Sequence, residues 1–374
     1  MKIAVHPETV LERLALLTRQ VPIPVVHALG GPLLARAVMV ATGLGIFERV
    51  QGSERTAGEV AEACGTHPYA TGKLLDALVS AGYLARRGPA YRLTWLSRKW
   101  LLKNSPTSLH DLLLYEQVEW DWLTRLEAFI QTGQSLDVHT TMARPEWERY
   151  QRAMRAIAGL GATELARRVY LPARPRAMLD IGGSHGYYAV AFCRRHPRLR
   201  ATILERPEAY EHAAPLLARE GMGERVVHRI GDARLTELGR AGYDLVLMAQ
   251  LLHHFDDGTN QELVRRVARA LRPGGSLVIV EVIRDPSRAN SGQLAGLLDL
   301  YFAFTSHAGA PSADQLAGWQ RDADLVPQRP IHLRRLPGFT AHVARKPLTH
   351  IEAASLSRSP WDARHEDDRG PSAA

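Results

Sequence analysis

Strand-length apolar segments alternate with helix-length segments over residues 177–282, and this alternation constrains the fold more than any other feature. Strands that are separated by helices predict a parallel, doubly wound α/β sheet. Residues 326–346 add two strand-like segments that would close the sheet. The five strand candidates are AMLDI, ATILE, RVVHRI, DLVLMA and SLVIVEV.

The first of these strands runs into a glycine-rich loop, LDIGGSHG, at residues 179–186. Residues 182–186 spell G-x-S-x-G, which in α/β-hydrolases places a nucleophilic serine on a sharp turn. That arrangement needs several strands and an oxyanion loop upstream, whereas Ser184 follows the first strand of this sheet, so a hydrolase is disfavoured. The dinucleotide fingerprint G-x-G-x-x-G also fails, because Ser184 occupies its second glycine position.

The same loop is also D-x-G-G-x-x-G at residues 180–186, a pattern that fits a nucleoside bearing an amino acid. Glycines let the backbone approach a ligand closely, and the N–H groups at the start of the next helix attract a carboxylate. Asp180 at the strand end can accept hydrogen bonds from an ammonium group. Glu205 ends the next strand, where its two oxygens match the hydroxyls of a ribose, and Asp232 follows the third strand, near an adenine amino group.

The N-terminal half contains a compact pattern of two helices and a hairpin. Thr56 and Glu59 form a capping box, and a second helix carries apolar residues on one face over residues 74–79. This pattern is typical of a winged helix, which either recognises DNA or serves as a scaffold and dimerisation module. The second helix offers only Lys73 as a cation and lacks the Arg, Asn and Gln residues that contact bases, which disfavours DNA binding.

Domain boundaries follow from these changes in pattern. The segment PARPR at 172–176 separates a helical region from the α/β region, and residues 29–50 are apolar enough to need a partner, which predicts a homodimer. The predicted parts are a helical, winged-helix dimerisation domain at 1–105, a helical linker at 106–172, an α/β domain at 173–348 and a poorly ordered tail at 349–374.

Composition narrows the possible partners. The formal net charge is +8, but the basic residues are scattered rather than clustered as in a nucleic-acid-binding tail. The two cysteines cannot form a disulfide framework and fit a reducing cytoplasm. No signal peptide is evident, and the longest apolar stretch, at 37–47, is shorter than the ~20 residues that cross a bilayer. We therefore expect a cytoplasmic protein that binds no nucleic acid, membrane or metal.

In their order along the chain, five motifs resemble the class I S-adenosylmethionine-dependent methyltransferases. With the winged-helix N-terminal half, the chain to about residue 346 resembles the small-molecule O-methyltransferases of plants and bacteria. The resemblance implies a Rossmann-like methyltransferase sheet, S-adenosylmethionine as cofactor and a small aromatic or polyketide-like acceptor. The motifs are LDIGGSHG, ILE, GDA, DLVLMAQLLHHFDD and LRPGGSLVIVE.

The resemblance also implies roles for individual residues. His253 matches the general base that removes a hydroxyl proton, and Glu281 matches the carboxylate that orients it. Tyr150 and Met154 match an aromatic-x-x-x-Met pair that lines the acceptor pocket, although helix-spaced residues of this kind also fit core packing. The predicted cofactor-binding residues are Asp180, Gly182, Gly183, Gly186, Glu205, Asp232 and Ala233. The predicted acceptor-pocket residues are Tyr150, Met154, His254, Asp299 and Phe302.

The sequence departs from the family pattern at two positions. His254 stands where plant members have Asp, and Ala310 lies near the position of a second acid, so His253 is expected to have one carboxylate partner. These departures leave open an enzyme that retains the cofactor but catalyses pericyclisation, hydroxylation or decarboxylation. A winged-helix DNA-binding regulator is a third hypothesis. The two histidines also fit simple polar residues at a strand end, and Asp256 and Asp257 fit caps of the next helix.

Overall fold

The computed structural model describes residues 3–284 and 292–348 of the 374-residue chain. The predicted tail at 349–374 lies outside the described residues. The N-terminal elements are α1 (Val10–Leu17), α2 (Ile23–Gly43), α3 (Ile46–Arg49), β1 (Arg55–Thr56), α4 (Ala57–Cys64), α5 (Pro68–Ser80), β2 (Leu84–Arg87), β3 (Ala90–Leu93) and α6 (Trp95–Trp100).

The winged-helix prediction is confirmed. The Glu59 carboxylate accepts a hydrogen bond from the Thr56 N–H at 2.7 Å, and the Thr56 hydroxyl accepts one from the Glu59 N–H. This capping box begins α4, because it satisfies N–H groups that have no partner inside the helix. Strands β2 and β3 form the predicted antiparallel hairpin, and β1 pairs with the other edge of β3.

Helix α2 is longer than the apolar stretch that the sequence analysis identified. The helix continues through Pro32 and spans 21 residues, so the apolar segment is longer than the stretch at 37–47. By length and composition it is the one helix in the described parts of the chain that could cross a membrane, and 11% of its most apolar window is buried. Val25, Leu29 and Leu33 are among its exposed apolar side chains. This face is available for contact with another apolar surface.

Helices join the winged helix to the α/β region. The 25-residue α10 holds Pro145 in its first turn, where a missing N–H breaks no helical bond. This helix packs against α7 on one side and against α11 (Tyr187–Arg195) on the other. An irregular segment at 169–176 then leads into the sheet. The linking helices are α7 (His110–Leu123), α8 (Leu126–Thr132), α9 (Val138–Thr141) and α10 (Arg144–Arg168).

The α/β region contains the predicted doubly wound sheet. Its eight strands lie in the order β10-β11-β8-β7-β4-β5-β6, with β9 paired to β11. Strands β8, β7, β4, β5 and β6 are parallel, and β11 closes the sheet antiparallel to β8. The elements are β4 (Ala177–Ile181), α11, β5 (Arg200–Glu205), α12 (Pro207–Ala218), β6 (Val226–Ile230), β7 (Tyr243–Ala249), α13 (Asp257–Ala270), β8 (Leu271–Val282), α14 (Gln293–Thr305), α15 (Ala313–Asp322), β9 (Val326–Pro327), β10 (Ile331–His332) and β11 (Phe339–Arg345).

Apolar layers cover both faces of this sheet. Leu165 of α10 and Phe192 of α11 are fully buried on one face, and Val264 of α13 and Leu316 of α15 are fully buried on the other. Burying a large apolar side chain contributes about 1.5–3 kcal/mol. Because β4 lies between β5 and β7, the chain reverses its strand order there, and ligands of such sheets bind at the carboxyl ends of the strands beside that point.

Candidate active site

The loop after β4 has no room for side chains at its glycines. A Cβ atom on Gly183 would lie 2.5 Å from Cγ of Asp180, and one on Gly186 would lie 2.4 Å from Cδ1 of Ile203. Gly182 and Gly186 also have positive φ angles, which glycine adopts without strain. A side chain at Gly183 or Gly186 would displace Asp180 or Ile203, so the glycines let the chain turn from β4 into α11 without this cost, and the turn exposes backbone N–H groups at the start of α11.

Asp180, at the end of β4, is a buried carboxylate that needs a partner. It is 1% exposed, and neither oxygen has a hydrogen-bond partner among the described residues. Burial and the nearby Glu205 carboxylate raise the pKa of Asp180 to about 7. An unpartnered buried acid is costly, so a cation bound beside it would stabilise its ionised form.

Glu205 ends β5 and lies beside the same loop. Its oxygens accept hydrogen bonds from the N–H groups of Ser184 and Arg206, both at 2.8 Å. Burial raises the pKa of Glu205, while these two N–H groups act against that effect. Each oxygen retains a lone pair that can accept from a ligand hydroxyl.

Asp232 follows β6 and is already paired. The Arg234 guanidinium donates to both of its oxygens, the closest contact being 2.6 Å, and this pairing lowers the pKa of Asp232. The sequence did not indicate this partner. Ala233, the next residue, is 8% exposed and has no polar side chain.

A cavity of about 280 Å³ opens at these strand ends, and we call it the loop cavity. The predicted residues Gly182, Glu205, Asp232 and Ala233 line it. A smaller cavity of about 50 Å³, lined by Asp180 and Gly183, adjoins it at Gly182 and Ser184. The structure therefore brings six of the seven predicted cofactor residues to one place, while Gly186 packs against Ile203 beneath the loop.

Ser184 does not have the surroundings of a nucleophile. Its hydroxyl donates to the side-chain oxygen of Gln151. His185 instead accepts a hydrogen bond from the Tyr187 N–H, and His228 contacts the backbone oxygen of Ser184. No described histidine is therefore placed to activate the hydroxyl, which agrees with the exclusion of a hydrolase.

His253 and Glu281 form a buried pair, as the sequence predicts. His253 lies in a short 3₁₀ helix, Leu252–His254, which follows β7. Its Nδ1 lies 2.9 Å from Oε2 of Glu281, and Oε1 of Glu281 accepts from the Leu252 N–H. Glu281 is fully buried at the end of β8, and Phe302 stacks on the imidazole with 3.8 Å between ring centres. Packing and hydrogen bonds therefore fix both the position and the plane of the ring.

His254 has a different environment from its neighbour. Its Nδ1 is 2.7 Å from the Ser306 hydroxyl, and its ring packs edge-on against His139. Burial, followed by the neighbouring His253 and His139, lowers the pKa of His254 well below the ordinary value for histidine. His254 is therefore neutral at physiological pH and a weak base.

A second cavity, of about 350 Å³, lies on the other side of His254, and we call it the helix cavity. Its wall is mainly apolar and comes from α7, α10 and α14. The predicted residues Tyr150, Met154, His254 and Phe302 line it, together with His253. His139, Tyr150, Gln250 and His254 line both this cavity and the loop cavity, so the two meet there.

The prediction for Asp299 is not supported by the geometry. Its carboxylate accepts from the Ala310 N–H at 2.8 Å and pairs with Arg284 at 3.4 Å, so it holds the loop after α14 rather than lining the helix cavity. Ala310 is buried against Phe302 and Val282. Glu281 is thus the carboxylate that contacts His253 among the described residues. Asp256 caps α13 by accepting from the Thr259 N–H, as predicted.

Several residues of the site carry no motif in the sequence. Gln250 has a φ of 53° after β7 and lines both cavities. Glu116 and Glu119 of α7 line the helix cavity, although charged residues on a helix usually mark its solvent face. Helix α7 carries other polar residues as well, so the sequence alone does not distinguish these two acids from residues of a solvent face.

A parallel sheet that places a glycine loop and strand-end acids around one cavity is the arrangement of class I S-adenosylmethionine-dependent methyltransferases. The family models agree: an O-methyltransferase domain matches residues 129–315, and an O-methyltransferase dimerisation domain matches residues 26–103. The chain belongs to this O-methyltransferase family. It is an S-adenosylmethionine-dependent O-methyltransferase of the natural-product type.

The chain is similar to two named O-methyltransferases and to one solved methyltransferase structure. The chain is 31% identical to acetylserotonin O-methyltransferase of Mus musculus molossinus, over 88% of this chain and 92% of the relative. It is 30% identical to mitomycin biosynthesis 6-O-methyltransferase of Streptomyces lavendulae, over 72% of this chain and 80% of the relative. The structure of human N-acetylserotonin methyltransferase in complex with S-adenosylmethionine has the same fold, with a TM-score of 0.77 at 21% identity over 92% of this chain and 100% of that one.

Proposed function

We propose that the enzyme methylates a hydroxyl group of a small aromatic or polyketide-like acceptor, and that His253 removes the hydroxyl proton. The observation that carries this proposal is the buried His253–Glu281 pair on the wall of the helix cavity. Because the helix cavity meets the loop cavity beside these residues, an acceptor and a cofactor in the two cavities would face each other there.

The residues of the loop cavity fit the cofactor. S-adenosylmethionine supplies an electrophilic methyl group on a sulfonium. Asp180 would hold its ammonium group, since the carboxylate has no other described partner, and the N-terminus of α11 would receive its carboxylate. Glu205 would bind the ribose hydroxyls, and Asp232 and Ala233 would lie beside the adenine.

The contact with Glu281 orients the imidazole of His253. Oε1 of Glu281 accepts from the Leu252 N–H, and in the proposed mechanism Nδ1 of His253 donates to the other oxygen, Oε2. The other ring nitrogen, Nε2, is then free to accept a proton. The same carboxylate stabilises the imidazolium that forms. His254 does not have this role, because its lowered pKa makes it a poor base and its Nδ1 contacts Ser306.

Alignment supplies much of the remaining catalysis. Methyl transfer is an in-line displacement, in which the acceptor oxygen must lie opposite the sulfur. Holding two reactants in such a geometry lowers the barrier by up to ~7–11 kcal/mol. The apolar wall of the helix cavity, with Met154 and Phe302, would position a planar acceptor and keep water away from it.

We also propose that two copies of the chain associate through the dimerisation domain. The exposed apolar face of α2 lies within residues 26–103 and is the surface that a partner would cover. The domain limits 1–105, 106–172 and 173–348 fit this arrangement, and the two free cysteines fit a cytoplasmic location. Light scattering at micromolar concentration is expected to give twice the mass of one chain, and a monomer would contradict the proposal.

Incubation with labelled S-adenosylmethionine and a panel of phenols tests the proposed reaction. Wild-type enzyme is expected to transfer label to a phenolic oxygen, and His253→Ala is expected to lose this activity while still binding S-adenosylhomocysteine. His67→Ala is the matched control, since His67 is exposed and forms no side-chain cap bond. Equal turnover of wild type and His253→Ala would contradict the role of His253.

A further inference from the structure

Two carboxylic acids lie inside the otherwise apolar helix cavity. Glu116 and Glu119 are three residues apart on α7, which places them on the same face of the helix. Both line the cavity, and the Tyr301 hydroxyl donates to Oε1 of Glu119. The function proposed above gives these acids no role.

The charge of this pair is not compensated by the residues that the structure describes. No Lys or Arg side chain lines the helix cavity there, and the ionisable groups other than the two acids are His139, His253, His254, Tyr115, Tyr150 and Tyr301. Burial raises the pKa of both Glu116 and Glu119, and mutual repulsion adds to the effect at Glu119. Without a cation, such a pair retains a proton.

A second polar group in the same cavity also lacks a partner. His139 of α9 is half-buried, lines both cavities and packs against His254 and Tyr150, and no hydrogen bond joins either ring nitrogen to another described residue. Burial lowers the pKa of His139 to about 4, so the ring is neutral. An imidazole with free ring nitrogens where the two cavities meet can form a hydrogen bond with a polar ligand.

Helix α14 connects the acid pair to the proposed base. Tyr301 holds Glu119, and the next residue, Phe302, stacks on His253. The acids and the imidazole are therefore fixed relative to each other through adjacent residues of one helix. A ligand that contacted both the acid pair and His253 would therefore need a fixed distance between its two binding groups.

We propose that Glu116 and Glu119 bind a protonated amine of the acceptor, so that the enzyme selects aromatic hydroxyl compounds that carry a cationic nitrogen. This inference rests on the proposed function, in which the helix cavity holds the acceptor. An ammonium group has three donors and no acceptor, which matches two carboxylates and places a compensating charge between them. Hydrogen bonds between charged groups are the strong ones, particularly in an apolar cavity.

Binding to the enzyme loaded with S-adenosylhomocysteine tests this inference without requiring turnover. The probes are tyramine and para-ethylphenol, which share a phenol and differ in the ammonium group. Wild type is expected to bind tyramine at least about tenfold more tightly, as a charge-assisted hydrogen bond predicts. Glu116→Gln and Glu119→Gln are expected to reduce this preference to less than about twofold without weakening para-ethylphenol binding.

Glu224→Gln is the matched control, because Glu224 is exposed and lies outside the helix cavity. It is expected to keep the wild-type preference for tyramine. Equal affinity of wild type for the two probes, no binding of tyramine at millimolar concentration, or an unchanged preference in both Gln variants would overturn the inference. If the preference depends on the two acids but no phenol of the panel is methylated, the binding site stands and the proposed reaction fails.

Discussion

The loop cavity and the helix cavity meet at Tyr150 and Gln250, but different parts of the chain form them. One side of the loop cavity is formed by the glycine loop and by residues at the ends of adjacent parallel strands, and side chains of α9 and α10 cover it. The helix cavity is formed by side chains of α7, α10 and α14, which are far apart in the sequence. The glycine loop and strand-end acids distinguish the first, whereas helix side chains make up most of the wall of the second, so we assign cofactor binding to one and acceptor selection to the other.

The two cavities also differ in how the protein compensates their charged side chains. In the loop cavity, backbone N–H groups compensate Glu205 and Arg234 compensates Asp232, and in the small adjoining cavity Asp180 is left to pair with a ligand. In the helix cavity, no described cation compensates Glu116 or Glu119. Substitutions in one cavity are therefore expected to leave the function of the other intact, and the following variants test that separation.

The largest effect is expected from His253→Ala. Removing a general base lowers turnover by about 10²–10⁴-fold. S-adenosylhomocysteine affinity is expected to stay close to that of wild type, because His253 lines the helix cavity and not the loop cavity. Steady-state kinetics and calorimetry measure the two quantities. His254→Ala is the comparison variant and should lose much less turnover; the opposite order would assign the base to His254.

Glu281→Gln is expected to have an intermediate effect. The amide keeps the shape of the side chain but removes the charge that stabilises the imidazolium, so we expect a loss of roughly tenfold to a hundredfold in kcat, less than for His253→Ala. The KM for S-adenosylmethionine should not change. A larger change in KM than in kcat would show that Glu281 acts by supporting the fold around the loop cavity.

Asp180→Asn and Glu205→Gln test the loop cavity. Each variant removes a charged acceptor, and the loss of such a hydrogen bond costs about 1.5–3 kcal/mol, or roughly 10–150-fold in affinity. Calorimetric titration with S-adenosylhomocysteine measures the effect. Asp244→Asn is a useful control, since this strand acid contacts Arg272 away from both cavities. Wild-type affinity in both loop variants would refute the assignment of the cavity.

A smaller effect is expected when pH is varied. The pKa of Asp180 is raised to about 7, so below that pH the carboxyl must lose a proton before it can hold an ammonium group. Affinity for S-adenosylhomocysteine should therefore fall as pH drops below about 7, by up to about tenfold per unit, and level off above it. Asp180→Asn should remove this dependence. A flat wild-type profile between pH 6 and 8 would be inconsistent with the buried acid described here.

The loop cavity could be predicted from the sequence because its determinants are local. The order of strands and the glycine spacing at 182–186 locate the loop, and the strand ends identify Asp180 and Glu205. The pairing of Asp232 with Arg234 was missed, since a side-chain conformation over two residues leaves no pattern in the sequence. The same local logic predicted the capping box at Thr56.

The helix cavity was predicted less completely, because its residues come together only through packing of distant helices. The sequence indicated the motif around His253 and the Tyr150–Met154 pair, and these residues line the helix cavity, whereas Asp299, expected in the acceptor pocket, instead bonds to the Ala310 N–H. A helical pattern shows which residues share a face and does not show which neighbour that face contacts. Glu116 and Glu119 were missed for the same reason.

The most direct test of the central claim is the dependence of the single-turnover methylation rate on the acidity of the phenol. If His253 removes the proton, wild type should respond little across a series of phenols, while His253→Ala should become faster as the phenol becomes more acidic. The two rates should converge for a phenol that is already ionised. Parallel dependences with equal rates would contradict the account, since proton removal would then not be the task of His253.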